Sequence, residues 1–250
     1  MKQRLLAFFM GRAPLYVLLC LSLLLGVLGT TLAVAPVLHE EPTPPLPPTP
    51  GEIYDAVLPS CVSVFAYPKD GTKFTGSGSG FFISNDGVLA TAYHVIRGAD
   101  RVRIRTSDKE YHDVVAVLGY DAALDVAILK IDLEDTKPVA VADDMGAPGD
   151  TIYAIGRYLG ADFTFTSSII AAVEDRFASF PERVMIRYCN LTQSGNSGGP
   201  VFDEYGRLLA MCQRHNTTAD ASLEWGLISS LVFSVPQDKN IPIRELPVIE

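Results

Sequence analysis

The segment Arg101-Val102-Arg103-Ile104-Arg105 alternates charged and apolar residues without a break. Successive side chains of a strand point to opposite faces, so this pattern fits a strand with one dry and one wet face. Short β-type runs recur at Cys61 to Tyr67, Tyr111 to Leu118, Val126 to Ile131 and Thr151 to Arg157. They continue at Phe163 to Val173, Arg183 to Cys189, Pro200 to Phe202, Arg207 to Cys212 and Leu227 to Val235. Turn signals such as Asp70-Gly71, Asn85-Asp86-Gly87 and Asp203-Glu204-Tyr205-Gly206 separate them. Many short strands with few long helical patterns predict an all-β barrel architecture. One short helix is expected over Glu52 to Leu58, and Leu133 to Gly149, with Pro138 and Pro148, reads as a connection.

The N-terminus follows other rules. Leu15 to Ala35 carries no charge over 21 residues, which as a helix spans roughly 31 Å, the thickness of a bilayer core. Lys2, Arg4 and Arg12 precede it, so the positive-inside rule puts the N-terminus in the cytoplasm and the remainder outside. Ala33-Val34-Ala35 resembles a signal-peptidase site, but the apolar run is longer than a signal core and Pro36 would follow the cut. The expected organisation is a basic cytoplasmic segment over 1–12 and a transmembrane helix over 13–38, contacting the lipid bilayer. A Pro-rich linker follows over 39–51, and a folded domain over 52–250. The prolines between Pro42 and Pro50 favour a stiff polyproline II spacer.

Past the anchor, 17 basic face 29 acidic side chains, a net −12, which argues against nucleic acid as a partner. Cys20 falls in the apolar segment. Cys61, Cys189 and Cys212 have no C-x-x-C spacing, so no metal site is expected, and no cofactor motif is present. Gly76, Gly78 and Gly80 are spaced G-x-G-x-G before an apolar, strand-like run, which is not the dinucleotide fingerprint. Cys189 and Cys212 leave two alternatives open, a disulfide or buried free thiols.

The chemistry is concentrated in Thr192-Gln193-Ser194-Gly195-Asn196-Ser197-Gly198-Gly199-Pro200. Its glycines suit a tight, partly left-handed path that can expose the Ser197 hydroxyl and turn backbone N–H groups the same way. A serine nucleophile needs both features, and it needs a base with a group to orient that base. Upstream lie Thr91-Ala92-Tyr93-His94 and Asp125-Val126-Ala127-Ile128-Leu129-Lys130. Asp121 is a second carboxylate candidate, but Asp125 opens the apolar strand, where it can be fixed and partly buried against His94.

These segments, GSGSGFFISNDGVLATAYHVI, DVAILKID, DTIYAIGRYLG and SGNSGGPVFDEYGRLLAM, run in the order and with the spacing of the HtrA/Deg-type trypsin-like serine proteases, which the chain resembles over Glu52 to Asp238. The resemblance implies two six-stranded antiparallel β-barrels of the chymotrypsin type, about 60–133 and about 149–238, with the site in the cleft between them. It implies catalytic His94, Asp125 and Ser197, an oxyanion hole of the Gly195 and Ser197 N–H groups, and Leu191 at the bottom of a pocket for aliphatic side chains. Phe233-Ser234-Val235-Pro236 matches the closing motif of the family. Protein or peptide substrates are implied, and the trimeric habit of many members raises a homotrimer. Most members carry PDZ domains after the protease, whereas this chain ends a dozen residues past Asp238. The expected function is a membrane-anchored serine endopeptidase acting on unfolded or membrane-proximal proteins. The alternative is a non-catalytic binding or chaperone module on the same fold.

Overall fold

A computed structural model describes residues 47–69, 73–74, 76–174, 184–189, 193–213 and 223–246. The expected transmembrane segment 13–38, most of the Pro-rich linker and Leu191 lie outside the described residues. Among the described residues no helix is long and apolar enough to cross a membrane.

Helix α1 (Pro50–Val57) opens on a capping box. The Thr49 hydroxyl accepts the Glu52 N–H, and the Glu52 carboxylate accepts the Thr49 N–H at 2.8 Å. Pro50 sits in the first turn, where its missing N–H costs nothing, so the helix begins inside the stretch read as linker. Ile53 and Val57 are its buried face.

Among the described residues twelve strands follow, in two closed antiparallel barrels. Barrel 1 contains β1 (Cys61–Tyr67), β2 (Gly76–Phe82), β3 (Val88–Ala92), β4 (Arg101–Arg105), β5 (Tyr111–Asp121) and β6 (Val126–Ile131), closed in the order β1-β2-β3-β6-β5-β4. Barrel 2 contains β7 (Thr151–Tyr158), β8 (Ala161–Glu174), β9 (Met185–Cys189), β10 (Pro200–Phe202), β11 (Leu208–Cys212) and β12 (Leu223–Ile228), closed in the order β10-β11-β12-β9-β8-β7. Closure removes the open sheet edges that would otherwise invite pairing with other chains.

Alternation places three apolar layers. Val62, Val64, Val102, Ile104 and Leu129 fill barrel 1, and Ile152, Ile170, Ile186, Tyr188 and Ala210 fill barrel 2. Between the barrels lies a third layer, with Phe81, Ala90 and Ile128 packed against Ile155, Phe202 and Met211. These six side chains are less than 2 % exposed, so the faces of the two barrels meet in a close-packed interior.

One expectation needs correction. The last strand among the described residues is Leu223–Ile228, and Ser229–Phe233 forms a short helix, so Phe233 to Pro236 runs as helix end and coil rather than as strand. The apolar run from Leu227 has no charge to mark where the strand ends, so pattern alone could not place the break. Cys61, Cys189 and Cys212 are free thiols. Burial alone pushes Cys61 up, and burial with the nearby Glu224 pushes Cys212 up to about 12, so both behave as apolar packing groups.

Candidate active site

Strand β3 ends at Ala92, and one helical turn, α2 (Tyr93–Ile96), presents His94. Asp125, just before β6, holds that turn from three sides. Its carbonyl accepts the Tyr93 N–H at 3.1 Å, its Oδ1 accepts the His94 N–H at 2.8 Å, and its Oδ2 lies 2.7 Å from His94 Nδ1. Asp125 adopts φ +58°, a left-handed conformation uncommon for a residue with a side chain, and the bonds to the histidine turn hold it there. An ionised carboxylate only accepts, so in the neutral imidazole this contact selects the tautomer with its proton on Nδ1. Asp121, the other sequence candidate, caps its own turn by accepting the Leu124 N–H at 2.9 Å.

Ser197 is carried by the loop before β10. The Ser197 carbonyl accepts the Ser79 N–H at 2.9 Å, and on its other side Gly198 N–H donates to Cys212 at 2.8 Å. Gly198 has φ +82°, and a Cβ there would come within 2.5 Å of Ala92 N, Ser79 O and Thr91 Oγ1. Only glycine lets this loop touch the strand end that launches His94. The Ser197 Oγ makes no hydrogen bond among the described residues, and a nucleophile–base contact often tightens only with substrate present.

Two backbone N–H groups are aimed by their own peptide planes. The Ser194 carbonyl accepts the Leu159 N–H at 3.0 Å, so the Gly195 N–H of that trans peptide points away from Leu159. The Asn196 carbonyl accepts the Gly199 N–H at 2.8 Å, which fixes the Ser197 N–H in the same way. Among the described residues neither N–H has a partner.

Sequence reasoning missed the groups that hold this loop. Ser79 Oγ donates to the Gly195 carbonyl and accepts the Arg157 N–H. Asp162 on β8 pairs with Arg157 and with Arg105 of barrel 1, and accepts the Ser63 hydroxyl at 2.9 Å. Burial works to raise the Asp162 pKa, but the hydrogen bonds from Arg157, Ser63 and Arg105 prevail and hold it below the usual carboxylate range. The only available signal for Ser79 was its place in the Gly76–Gly80 run; nothing in sequence paired residues 63, 105, 157 and 162. Among the described residues no group of three or more His, Cys, Asp or Glu is placed to hold a metal ion.

Two six-stranded barrels packed face to face define the chymotrypsin-like fold class. The model of the trypsin-like peptidase domain matches residues 78–211, more than half of the chain. The chain is 35% identical over 171 residues to the chloroplastic protease Do-like 1 of Arabidopsis thaliana, covering 65% of this chain and 37% of that protein. It is 36% identical over 147 residues to a probable periplasmic serine endoprotease, DegP-like, of a Marinomonas species, covering 58% of this chain and 31% of that one. The chain thus spans about a third of the length of these curated relatives. The solved structure of the HtrA-type protease AlgW with a tripeptide has the same fold, with a TM-score of 0.67 at 24% identity over 74% of this chain and 62% of that one. The Rv3671c protease of M. tuberculosis in its active form gives a TM-score of 0.64 at 26% identity, covering 72% and 81%. This chain belongs to the trypsin-like peptidase domain family.

Proposed function

We propose that this chain is a membrane-anchored serine endopeptidase that hydrolyses peptide bonds of unfolded or membrane-proximal proteins. The observation that carries the reading is the His94–Asp125 pair at 2.7 Å, set beside a nucleophile loop that Gly198 locks against Ala92. In the proposed reaction, Ser197 Oγ attacks the scissile carbonyl carbon while His94 Nε2 takes the hydroxyl proton. Asp125 stabilises the imidazolium that results. The Gly195 and Ser197 N–H groups receive the oxyanion of the tetrahedral intermediate. Collapse breaks the C–N bond, His94 returns the proton to the departing amine, and an acyl-enzyme remains. Water, deprotonated by the same imidazole, attacks the ester and restores Ser197.

The uncharged run Leu15 to Ala35 and the basic residues before it support an anchor over 13–38 that leaves the protease domain on the outer side. The printed name of the Marinomonas relative, periplasmic, agrees with that side. Leu191 is proposed as the base of a pocket for aliphatic side chains, and a homotrimer as the assembly. The test is labelling of the full chain in detergent by a fluorophosphonate, followed by peptide mapping. Modification of Ser197 is expected. A folded protein that never labels, and cleaves no member of a peptide library, instead supports a non-catalytic binding module.

A further inference from the structure

The outer face of barrel 1 beside Asp162 is paved with arginine and aromatic side chains, and no step of the proposed hydrolysis uses them. Strand alternation produces it: Val102 and Ile104 point into the barrel, so Arg101, Arg103 and Arg105 point out. Their cross-strand partners on β1 are Tyr67, Phe65 and Ser63. The guanidinium of Arg101 lies 5.3 Å over the Tyr67 ring, that of Arg103 4.8 Å over Tyr111, and that of Arg157 4.8 Å over Phe65. Phe74 meets Phe65 edge-on at 5.5 Å and is 45% exposed.

The charges on this face do not balance. Asp113 is shared by Arg101 at 3.2 Å and Arg103 at 3.4 Å, and Asp162 is shared by Arg105 and Arg157. Among the described residues two carboxylates thus serve these four guanidiniums, in a chain whose net charge is −9. The arginine at the outer end is accessible, with the Arg101 side chain 53% exposed. An acidic polypeptide is repelled by the bulk of this molecule and attracted here.

The patch is continuous with the active site. Arg157 Nε donates to Ser77 Oγ at 3.3 Å, and two residues on, Ser79 N–H donates to the Ser197 carbonyl. A Cβ on Gly76 would lie 3.4 Å from the carbonyl of Val95, the residue after His94. The patch therefore lies on the His94 side of Ser197. The imidazole hands its proton to the leaving amine, so the polypeptide beyond the scissile bond passes that side.

We propose that this patch is an extended subsite for acidic polypeptide, taking up Asp or Glu side chains C-terminal to the scissile bond; it rests on the endopeptidase reading. Crossing from β2 to β4 covers about 10 Å, and moving from Arg103 to Arg101 adds about 7 Å. At about 3.3 Å per extended residue, the recognised carboxylates fall roughly three to six residues past the cut. The forked guanidiniums suit carboxylates, and the rings beneath hold them flat.

The test is equilibrium binding to the full chain carrying Ser197→Ala, in detergent, so that no turnover is needed. The probes are a fluorescein-labelled peptide with a leucine, a short spacer and a run of glutamates, and its twin with glutamines. We expect the glutamate peptide to bind about 10-fold tighter at low salt, the difference to fade at high salt, and to vanish when Arg101→Gln and Arg103→Gln are added. Equal binding of the twins, or a preference that survives both the double substitution and high salt, overturns the proposal. Should the parent protein prove unable to cleave while the preference and its loss are seen, the endopeptidase reading fails and the acidic-peptide site stands. Binding of phosphatidylserine vesicles through the same arginines, with the twins undiscriminated, reassigns the patch to a lipid surface and overturns the proposal.

Discussion

Ser79 and Gly195 are joined across the barrel interface, the Ser79 hydroxyl donating to the Gly195 carbonyl oxygen at 2.8 Å. The same hydroxyl accepts the Arg157 N–H at 2.8 Å, and Ser79 is fully buried. Gly195 sits at φ +101°, where a Cβ would meet the Arg157 carbonyl at 1.9 Å, so the loop has little room to settle elsewhere. One hydroxyl of barrel 1 thereby fixes the peptide that follows the first oxyanion donor.

Ser79→Ala removes both of its bonds and leaves two part-buried backbone groups, the Gly195 carbonyl and the Arg157 N–H, without that partner. A lost buried hydrogen bond costs about 1–3 kcal/mol, part of it borne by the fold and part by the ordered loop. Turnover of a cleaved peptide is expected to fall about 10-fold or more, with KM little changed, because Ser79 touches the oxyanion loop rather than substrate. Unchanged turnover, with stability alone reduced, would show that Gly195 is held well enough by Leu159 through Ser194.

Ser197→Ala is expected to abolish turnover and fluorophosphonate labelling while moving the melting temperature by no more than about 2 °C. The Ser197 hydroxyl has no partner among the described residues, so its loss removes chemistry and no packing. Activity that persists in the variant would point to Ser194, the exposed serine three residues earlier.

Asp125→Asn keeps the size of the side chain but not its charge. The amide can present an N–H to His94 Nδ1, favouring the tautomer whose Nε2 already bears a proton. Turnover is expected to fall roughly 10⁴-fold with substrate binding retained. Asp121→Asn keeps an oxygen for the Leu124 N–H and should leave turnover near the parent value. Steady-state kinetics on both variants decide the assignment; a crippled Asp121→Asn beside an active Asp125→Asn reverses it.

The strands were legible where one face is wet. Arg101–Arg105 could be read to the residue because charge and apolarity alternate there, and Cys61–Tyr67 and Val126–Ile131 because β-formers fill them between turn residues. The closing segment was not, because Leu227 to Val235 carries no charge, and Ser229 and Ser230 at the break suit a strand or a turn as well as the start of a helix. The His94–Asp125 contact was anticipated from motif order and strand position. The Ser79–Gly195 bond and the Asp162 cluster join residues far apart in sequence, where no local pattern links donor to acceptor. Such pairs become visible only once the two barrels are placed face to face.

Asp162 carries the last prediction, which concerns pH. Its side chain is 11% exposed and held by Arg105, Arg157 and Ser63, bonds that tie β8 of barrel 2 to β1 and β4 of barrel 1. Burial pushes its pKa up, yet the donors outweigh burial and the folded value lies below the unfolded one, about 3.9. A depressed folded pKa means that the ionised cluster contributes its full stability above the unfolded value. That contribution is lost as pH falls below it and through the folded pKa. Asp162→Asn leaves two guanidiniums without their shared charge, and removing one member of a buried pair costs roughly 3–5 kcal/mol. At pH 7 the variant should therefore be clearly less stable to urea than the parent. As pH falls below the unfolded value of about 3.9 and through the lower folded one, the parent loses the same contribution by protonation, and the gap between the two should narrow. Urea denaturation of both proteins across that range is the measurement. A gap that stays constant down to the acid limit would mean that Asp162 stabilises the interface by shape and neutral hydrogen bonding, not by its charge.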